Sequence, residues 1–255
     1  MKMRLNVETQ GTVGQDAFDG RIGRRQMLVG LSAAGLHFSG AHLLQATGIA
    51  TLSVPPGKTP DEALAALQAG NQRFVAGNAR HAGSGAGRRA EIAKGQSPFA
   101  AILGCSDSRV PPELVFDQGL GDLFVMRVAG NVVDVAALGS IEYGVLHLNT
   151  PLIMVLGHES CGAVMAALSP HDGAHDSEEP EALHQLIGKI RPSLGGIDAH
   201  LSQADQVKAG VEANVHQSMK VLSETPELAK AVAAKTLRIV GAVYDLASGK
   251  VRLLA

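Results

Sequence analysis

The chain has 255 residues, a formal net charge of −2, 45% hydrophobic and 18% charged residues. That balance argues against global disorder and suits one good core or two small ones. Near-zero charge without a basic stripe, 3% aromatics and no Trp argue against a nucleic-acid partner or a stacking platform, and 2 cysteines exclude a disulfide-rich scaffold.

The first segment, residues 1–50, reads as an address rather than a fold. Gly20-Arg21-Ile22-Gly23-Arg24-Arg25 is followed by a stretch without Asp, Glu, Lys or Arg from Gln26 to Gly57. A positive region ahead of an apolar one is export-signal design, and Arg24-Arg25-Gln26-Met27-Leu28 resembles a twin-arginine signal. Gly30, Gly35, Gly40 and Gly48, with His37, His42 and Gln45, dilute the run too far for a membrane anchor, so no stable membrane insertion is expected. Gly48-Ile49-Ala50 offers small residues for cleavage. The expected partner here is the twin-arginine export machinery, and the expected location is the periplasm or another exported compartment.

Residues 51–255 are expected to form a single catalytic domain with a helical arm over about 59–95. Thr59-Pro60-Asp61-Glu62 is a helix start with a capping box, and Ala63, Leu64, Leu67, Phe74 and Val75 follow at helical spacing until Gly77-Asn78. Gly83 to Arg89 is glycine-rich, lacks the ending of a phosphate loop, and reads as a flexible connection. Short apolar runs then recur at 99–103, 123–128, 152–156 and 237–244, with a further edge strand over 251–254 after the turn Ser248-Gly249. Helices are expected at 134–148, at 160–168 and in several pieces within 181–234, and 171–180 reads as an acidic polar loop. Near-continuous apolar strands separated by helices predict an α/β fold with a mainly parallel central sheet covered on both faces.

Two of the strands end in chemistry. One runs into Cys105-Ser106-Asp107-Ser108-Arg109, the other into His158-Glu159-Ser160-Cys161-Gly162. In extended chain Cys105, Asp107 and Arg109 share a side, and a tight turn entering a helix brings His158 and Cys161 together. A Cys161 in the first helical turn would have its thiolate favoured by the helix dipole. The cysteines still admit one disulfide, two inert core thiols or two metal ligands. Ligands of open parallel sheets sit beyond the carboxyl ends of the strands, where two thiolates, an imidazole and an oxygen ligand would make a tetrahedral zinc site. A buried disulfide has no need of Asp107, Arg109 or His158.

Cys105-Ser-Asp-Ser-Arg-Val110 together with His158-x-x-Cys161-Gly162 resembles the β-class carbonic anhydrases. The resemblance extends over about residues 60–255 and includes Ala129-Gly130-Asn131, Ser140-Ile141-Glu142-Tyr143 and Gly241-Ala242-Val243-Tyr244-Asp245. It implies a lyase that interconverts CO₂ and bicarbonate through hydroxide held on one zinc ion per chain. It also implies a homodimer or dimer of dimers, with active sites at the dimer interface. By motif position Cys105, His158 and Cys161 are zinc ligands, Asp107 and Arg109 form the catalytic dyad, and Asp107 released from Arg109 could itself bind zinc. Gln96 resembles the substrate-orienting glutamine of the plant-like branch, and Phe124 and Tyr143 resemble its pocket lining. Where another branch with a regulatory bicarbonate site carries Trp, this chain has Ile102. No proton shuttle is identified among His81, His171 and His175. The competing readings are a zinc hydrolase for CS₂ or COS on the same fold, a non-catalytic zinc-binding protein with Asp107 closing the site, and a disulfide-stapled domain.

Overall fold

A computed structural model of the protein describes residues 57–81, 83–169 and 180–255. The chain divides into two units, 1–51 and 52–255. The first, on which the expected export signal falls, lies outside the described residues, as do His171 and His175. No helix among the described residues is long and apolar enough to cross a membrane.

The helical arm begins as its sequence directs. The first helix, α1 (Pro60–Val75), has Thr59 as N-cap, and the Glu62 carboxylate accepts from the Thr59 backbone N–H at 2.8 Å, closing the capping box. The glycine-rich stretch read as a flexible connection turns helical instead at α2 (Ala86–Ile92). Arg88 is the reason visible in the structure: it donates to the Leu120 carbonyl at 3.0 Å and pairs with Asp122 at 3.0 Å, fastening this short helix to the body.

The body is a sheet of β1 (Ala100–Gly104), β2 (Leu123–Arg127), β3 (Leu152–His158), β4 (Arg238–Tyr244) and β5 (Val251–Leu253). Its order is β2-β1-β3-β4-β5, with only β5 antiparallel. Between the strands lie α3 (Pro112–Val115), α4 (Val135–Leu148), α5 (Gly162–Leu168), α6 (Glu181–Ile190), α7 (Gln203–Glu224) and α8 (Pro226–Ala233).

Strand side chains alternate between two cores. Ala100, Ile102, Leu152, Met154 and Leu156 face Leu64, Leu67 and Val115, whereas Ala101, Leu103, Ile153 and Val155 face Ile141, Val215 and Leu222. Both faces of the sheet are therefore apolar, which is why the strands carry no polar alternation. A third cluster gathers Cys105, Cys161, Val164, Ile190 and Val211 beyond the strand ends.

The strand order places the site. From β1 the chain goes to β2 on one side and returns to β3 on the other. The crevice at the carboxyl ends of β1 and β3 is thus the topological switch point, where open α/β sheets bind ligands. Gly157 lets α7 approach this corner: a Cβ there would lie 2.6 Å from Val215 Cγ2 and 3.2 Å from Val211 Cγ1.

Candidate functional site

Cys105 leaves the end of β1 and His158 is the last residue of β3, so adjacent parallel strands deliver both to one edge. After His158 the chain turns through Ser160, which adopts a left-handed φ of 52°, into Cys161. Cys161 is the N-cap of α5 rather than a residue of its first turn. One ligand atom from each of Cys105, His158 and Cys161 lies within 4.8 Å of the other two, and all three residues are buried. Neither cysteine is in a disulfide.

The donor set fits a zinc ion. His158 Nδ1 is 2.8 Å from the Glu159 carbonyl, which can only accept, so this nitrogen carries the proton and the Nε2 lone pair is free. His158 Nε2 is buried and has no hydrogen-bond partner, an arrangement that costs free energy unless a cation uses the lone pair. The neighbouring thiols are pushed apart: the interaction with Cys161 lowers the Cys105 thiol, and the same interaction with burial raises Cys161, which keeps its proton. A divalent cation bound by both thiolates would displace that proton.

Asp107 stands beside the cluster, with Oδ2 3.9 Å from His158 Nε2. Arg109 holds it in a fork: Nε donates to Oδ1 at 2.9 Å and Nη2 to Oδ2 at 2.7 Å, and the Arg109 backbone N–H adds a bond to Oδ1 at 2.9 Å. The guanidinium keeps the Asp107 carboxyl well below the usual carboxylate range. The chain turns at Ser108 and Arg109 rather than staying extended through 109 as the alternation argument assumed. Val110 N–H donates to the Asp107 carbonyl at 3.1 Å, closing a turn that brings Arg109 back over Asp107.

A family profile described as "Carbonic anhydrase" matches residues 100–251. The carbonic anhydrase of Mycolicibacterium smegmatis is 46% identical over 201 residues, covering 78% of this chain and 95% of that one. Carbonic anhydrase 2 of Mycobacterium tuberculosis is 44% identical over 199 residues, 76% of this chain and 93% of its own. Among solved structures, the Coccomyxa β-carbonic anhydrase, determined with acetazolamide, aligns with a TM-score of 0.60 at 28% identity, covering 75% of this chain and 84% of that one. A tetrameric β-carbonic anhydrase of Sordaria macrospora aligns with a TM-score of 0.59 at 29% identity, over 65% and 85% of the two chains. This chain is a member of the β-class carbonic anhydrase family.

For a β-class carbonic anhydrase, its remaining candidate residues stand apart from the Cys-His-Cys cluster. Gln96 is exposed ahead of β1, at the opposite edge from Cys105, and β1 alone spans about 16 Å. Phe124 pairs in register with Ala101 near the start of β2 and meets Tyr143 of α4 with ring centroids 6.2 Å apart. Tyr143 in turn lies 5.1 Å from the ring of His147, which lines a cleft of about 560 Å³ together with Gln96. The chain thus brings Gln96, Phe124 and Tyr143 into one neighbourhood and Cys105, Asp107, Arg109, His158 and Cys161 into another. His81 is exposed, and its backbone N–H donates to Asp117 at 3.0 Å.

Sequence reasoning missed the residues that hold the metal cluster from behind. Arg127 at the end of β2 donates through Nε to the Cys105 carbonyl at 2.9 Å and through Nη2 to the Asp107 carbonyl. Its signal was a charged residue closing an apolar strand run. Gly130 N–H points at Cys105 Sγ, 3.3 Å away. Asn214 and Ser218 of α7 reach the carbonyls of Gly130 and Asn131 at 2.6 and 3.0 Å. Their signal was polar residues on the buried stripe Val207, Val211, Val215, Leu222.

Proposed function

We propose that this chain catalyses the reversible hydration of CO₂ to bicarbonate and a proton, with one zinc ion held by Cys105, His158 and Cys161. The observation that carries the proposal is the buried three-donor cluster at the sheet's switch point, with a partnerless His158 Nε2 and the Asp107–Arg109 fork beside it. Bound zinc supplies Lewis acidity, which makes water nucleophilic near neutral pH. Cys105, His158 and Cys161 would hold the ion and leave room beside Asp107 for the reacting water. Asp107, fixed by Arg109 and by its own turn, accepts a hydrogen bond from that water and aims its oxygen at the carbon of CO₂. With both carboxylate oxygens engaged by Arg109, Asp107 would stay off a metal held by the three donors. The water oxygen bonds to the CO₂ carbon, the π pair of one C=O bond moves to oxygen, and a proton leaves to solvent buffer as bicarbonate departs.

Gln96, Phe124 and Tyr143 serve as the substrate pocket of the plant-like branch, contributed to the site of a second copy. Support comes from their distance from Cys105 within one chain and from the outer face of α4, where Val135 is 89%, Tyr143 49% and Leu146 48% exposed. A helix apolar on both sides lacks a partner in the monomer. The protein therefore works as a homodimer or dimer of dimers. Residues 1–50 act as a cleaved twin-arginine export signal, and 51–255 as the exported catalytic domain.

Zinc content and CO₂ hydration of the purified protein test the central reading. Wild type should hold one zinc per chain and hydrate CO₂, whereas Cys161→Ser should lose the metal and the activity, because a neutral hydroxyl does not replace a thiolate. Full zinc occupancy and turnover in Cys161→Ser would overturn the ligand set.

A further inference from the structure

The turn Ala129–Asn131 takes a left-handed course that its Gly-Asn pair permits. Gly130 has φ 69° and Asn131 φ 45°, two successive left-handed residues in a buried segment. A Cβ at Gly130 would lie 2.6 Å from Ile190 Cδ1 and 3.2 Å from Ala163 Cβ, so only glycine fits. Burial denies its carbonyls water, and α7 supplies the donors instead. Asn214 Nδ2 donates to the Gly130 carbonyl at 2.6 Å, and Ser218 Oγ donates to the Asn131 carbonyl at 3.0 Å. The two side chains stand one helical turn apart on the same face, and both are buried. The geometry this clamp preserves is a backbone N–H aimed at a sulfur: Gly130 N to Cys105 Sγ, 3.3 Å.

We infer that Asn214 and Ser218 are positioning residues of the metal centre: by clamping the Ala129–Asn131 turn they aim the Gly130 N–H at Cys105 Sγ and so set the donor strength of that thiolate toward zinc. The inference rests on the reading of Cys105 as a zinc ligand. An N–H···S bond draws charge from the sulfur and fixes its direction, and partners of this kind tune metal affinity by ten- to a hundredfold. Arg127 fixes the same residue through its carbonyl, so Cys105 is held at both sulfur and backbone, and a loosened turn would free only the sulfur.

The test compares Asn214→Ala, Asn214→Asp, Ser218→Ala and Leu222→Ala, the last loosening the same helix away from the turn. Zinc affinity is measured by competition with a chromophoric chelator, and the sulfur-to-metal charge-transfer band is recorded after substitution with Co²⁺. Asn214→Ala and Asn214→Asp should weaken zinc about tenfold or more, because Cys105 Sγ loses the N–H that fixes its direction and stabilises it as thiolate. They should also move the band to lower energy, because a sulfur without its N–H partner donates more readily. Asn214→Asp keeps the volume but sets an oxygen against the Gly130 carbonyl, separating donor from shape. Leu222→Ala should lower the melting temperature while leaving affinity and band at wild-type values. If Asn214→Ala does not fold, Ser218→Ala decides, with a smaller shift of the same sign. Unchanged affinity and band in the folded clamp variants, or an equal change in Leu222→Ala, would overturn the clamp. A wild type that takes up no zinc, or a Cys105→Ser that keeps it, would instead overturn the ligand reading.

Discussion

Arg109 is more than half exposed, yet it commits two guanidinium N–H groups and its backbone N–H to Asp107. Nothing about its position requires it for the fold. Its removal should leave zinc near one per chain but free Asp107, an unpaired carboxylate beside a divalent cation, to swing onto the metal and displace water. Arg109→Ala should therefore lose about a hundredfold in CO₂ hydration, with Asp107 ligating zinc in its structure. Arg109→Lys keeps the charge without the planar fork and should recover only part of the rate. Wild-type turnover in Arg109→Ala would refute the dyad role, and loss of zinc would show that Arg109 supports the fold around Cys105. The pairing was put forward by the family resemblance of the motif, not by the spacing of the two residues. The turn that achieves it was not, because it depends on an Asx-type bond from the Arg109 N–H.

At the scale of elements, α1 and the segment after α3 are held to one another by single buried polar residues. Asp117, with a left-handed φ of 46° and a fully buried side chain, pairs with Arg73 of α1 and accepts the backbone N–H groups of Arg80 and His81. Burial would push its carboxyl up, but Arg73 and the two N–H donors outweigh that and hold it below the usual range. A depressed carboxylate stabilises fully above its unfolded value of about 3.9 and less as pH falls through the folded one. Asp117→Asn should thus cost about 2–3 kcal/mol at pH 7, read by urea denaturation, and the gap to wild type should narrow in acid below about pH 4. A gap that stays constant with pH would mean shape, not charge, is what Asp117 supplies. Asn71 plays the neutral counterpart, bonding the carbonyls of Val115 and Gly249 and the N–H of Val251. Such long-range bonds to backbone leave no sequence pattern, which is why α1 was legible as a helix and its attachments were not.

For the whole molecule, the outer face of α4 and the first segment carry the predictions. Leu146→Glu puts a charge on the apolar face without touching the metal cluster. It should shift the protein toward monomer in sedimentation, keep zinc, and lower CO₂ hydration, because Gln96, Phe124 and Tyr143 would no longer reach a second site. A fully active monomer would show that one chain completes its own pocket. Arg24→Lys with Arg25→Lys should hold the protein in the cytoplasm, checked by cell fractionation, and normal export of this double variant would refute the twin-arginine reading.

The sequence by itself determined the α/β class and the strands ending at Cys105 and His158, and it put forward Cys105, His158 and Cys161 as candidate metal donors. It could do so because apolar runs with no polar alternation report burial on both faces, and because zinc chemistry needs particular side chains at short spacing. Tertiary structure decided what lies far apart in the chain. The order β2-β1-β3 made the ends of β1 and β3 neighbours, joining Cys105 to His158 across more than fifty residues. It also separated Gln96 from Cys105, although only eight residues stand between them, because an intervening strand spans the sheet. Asn214 reached Gly130 across 84 residues through the close packing of α7 against Gly157. Local pattern encodes which face a residue presents, but the partner it meets there depends on strand order and helix packing, which no local spacing records.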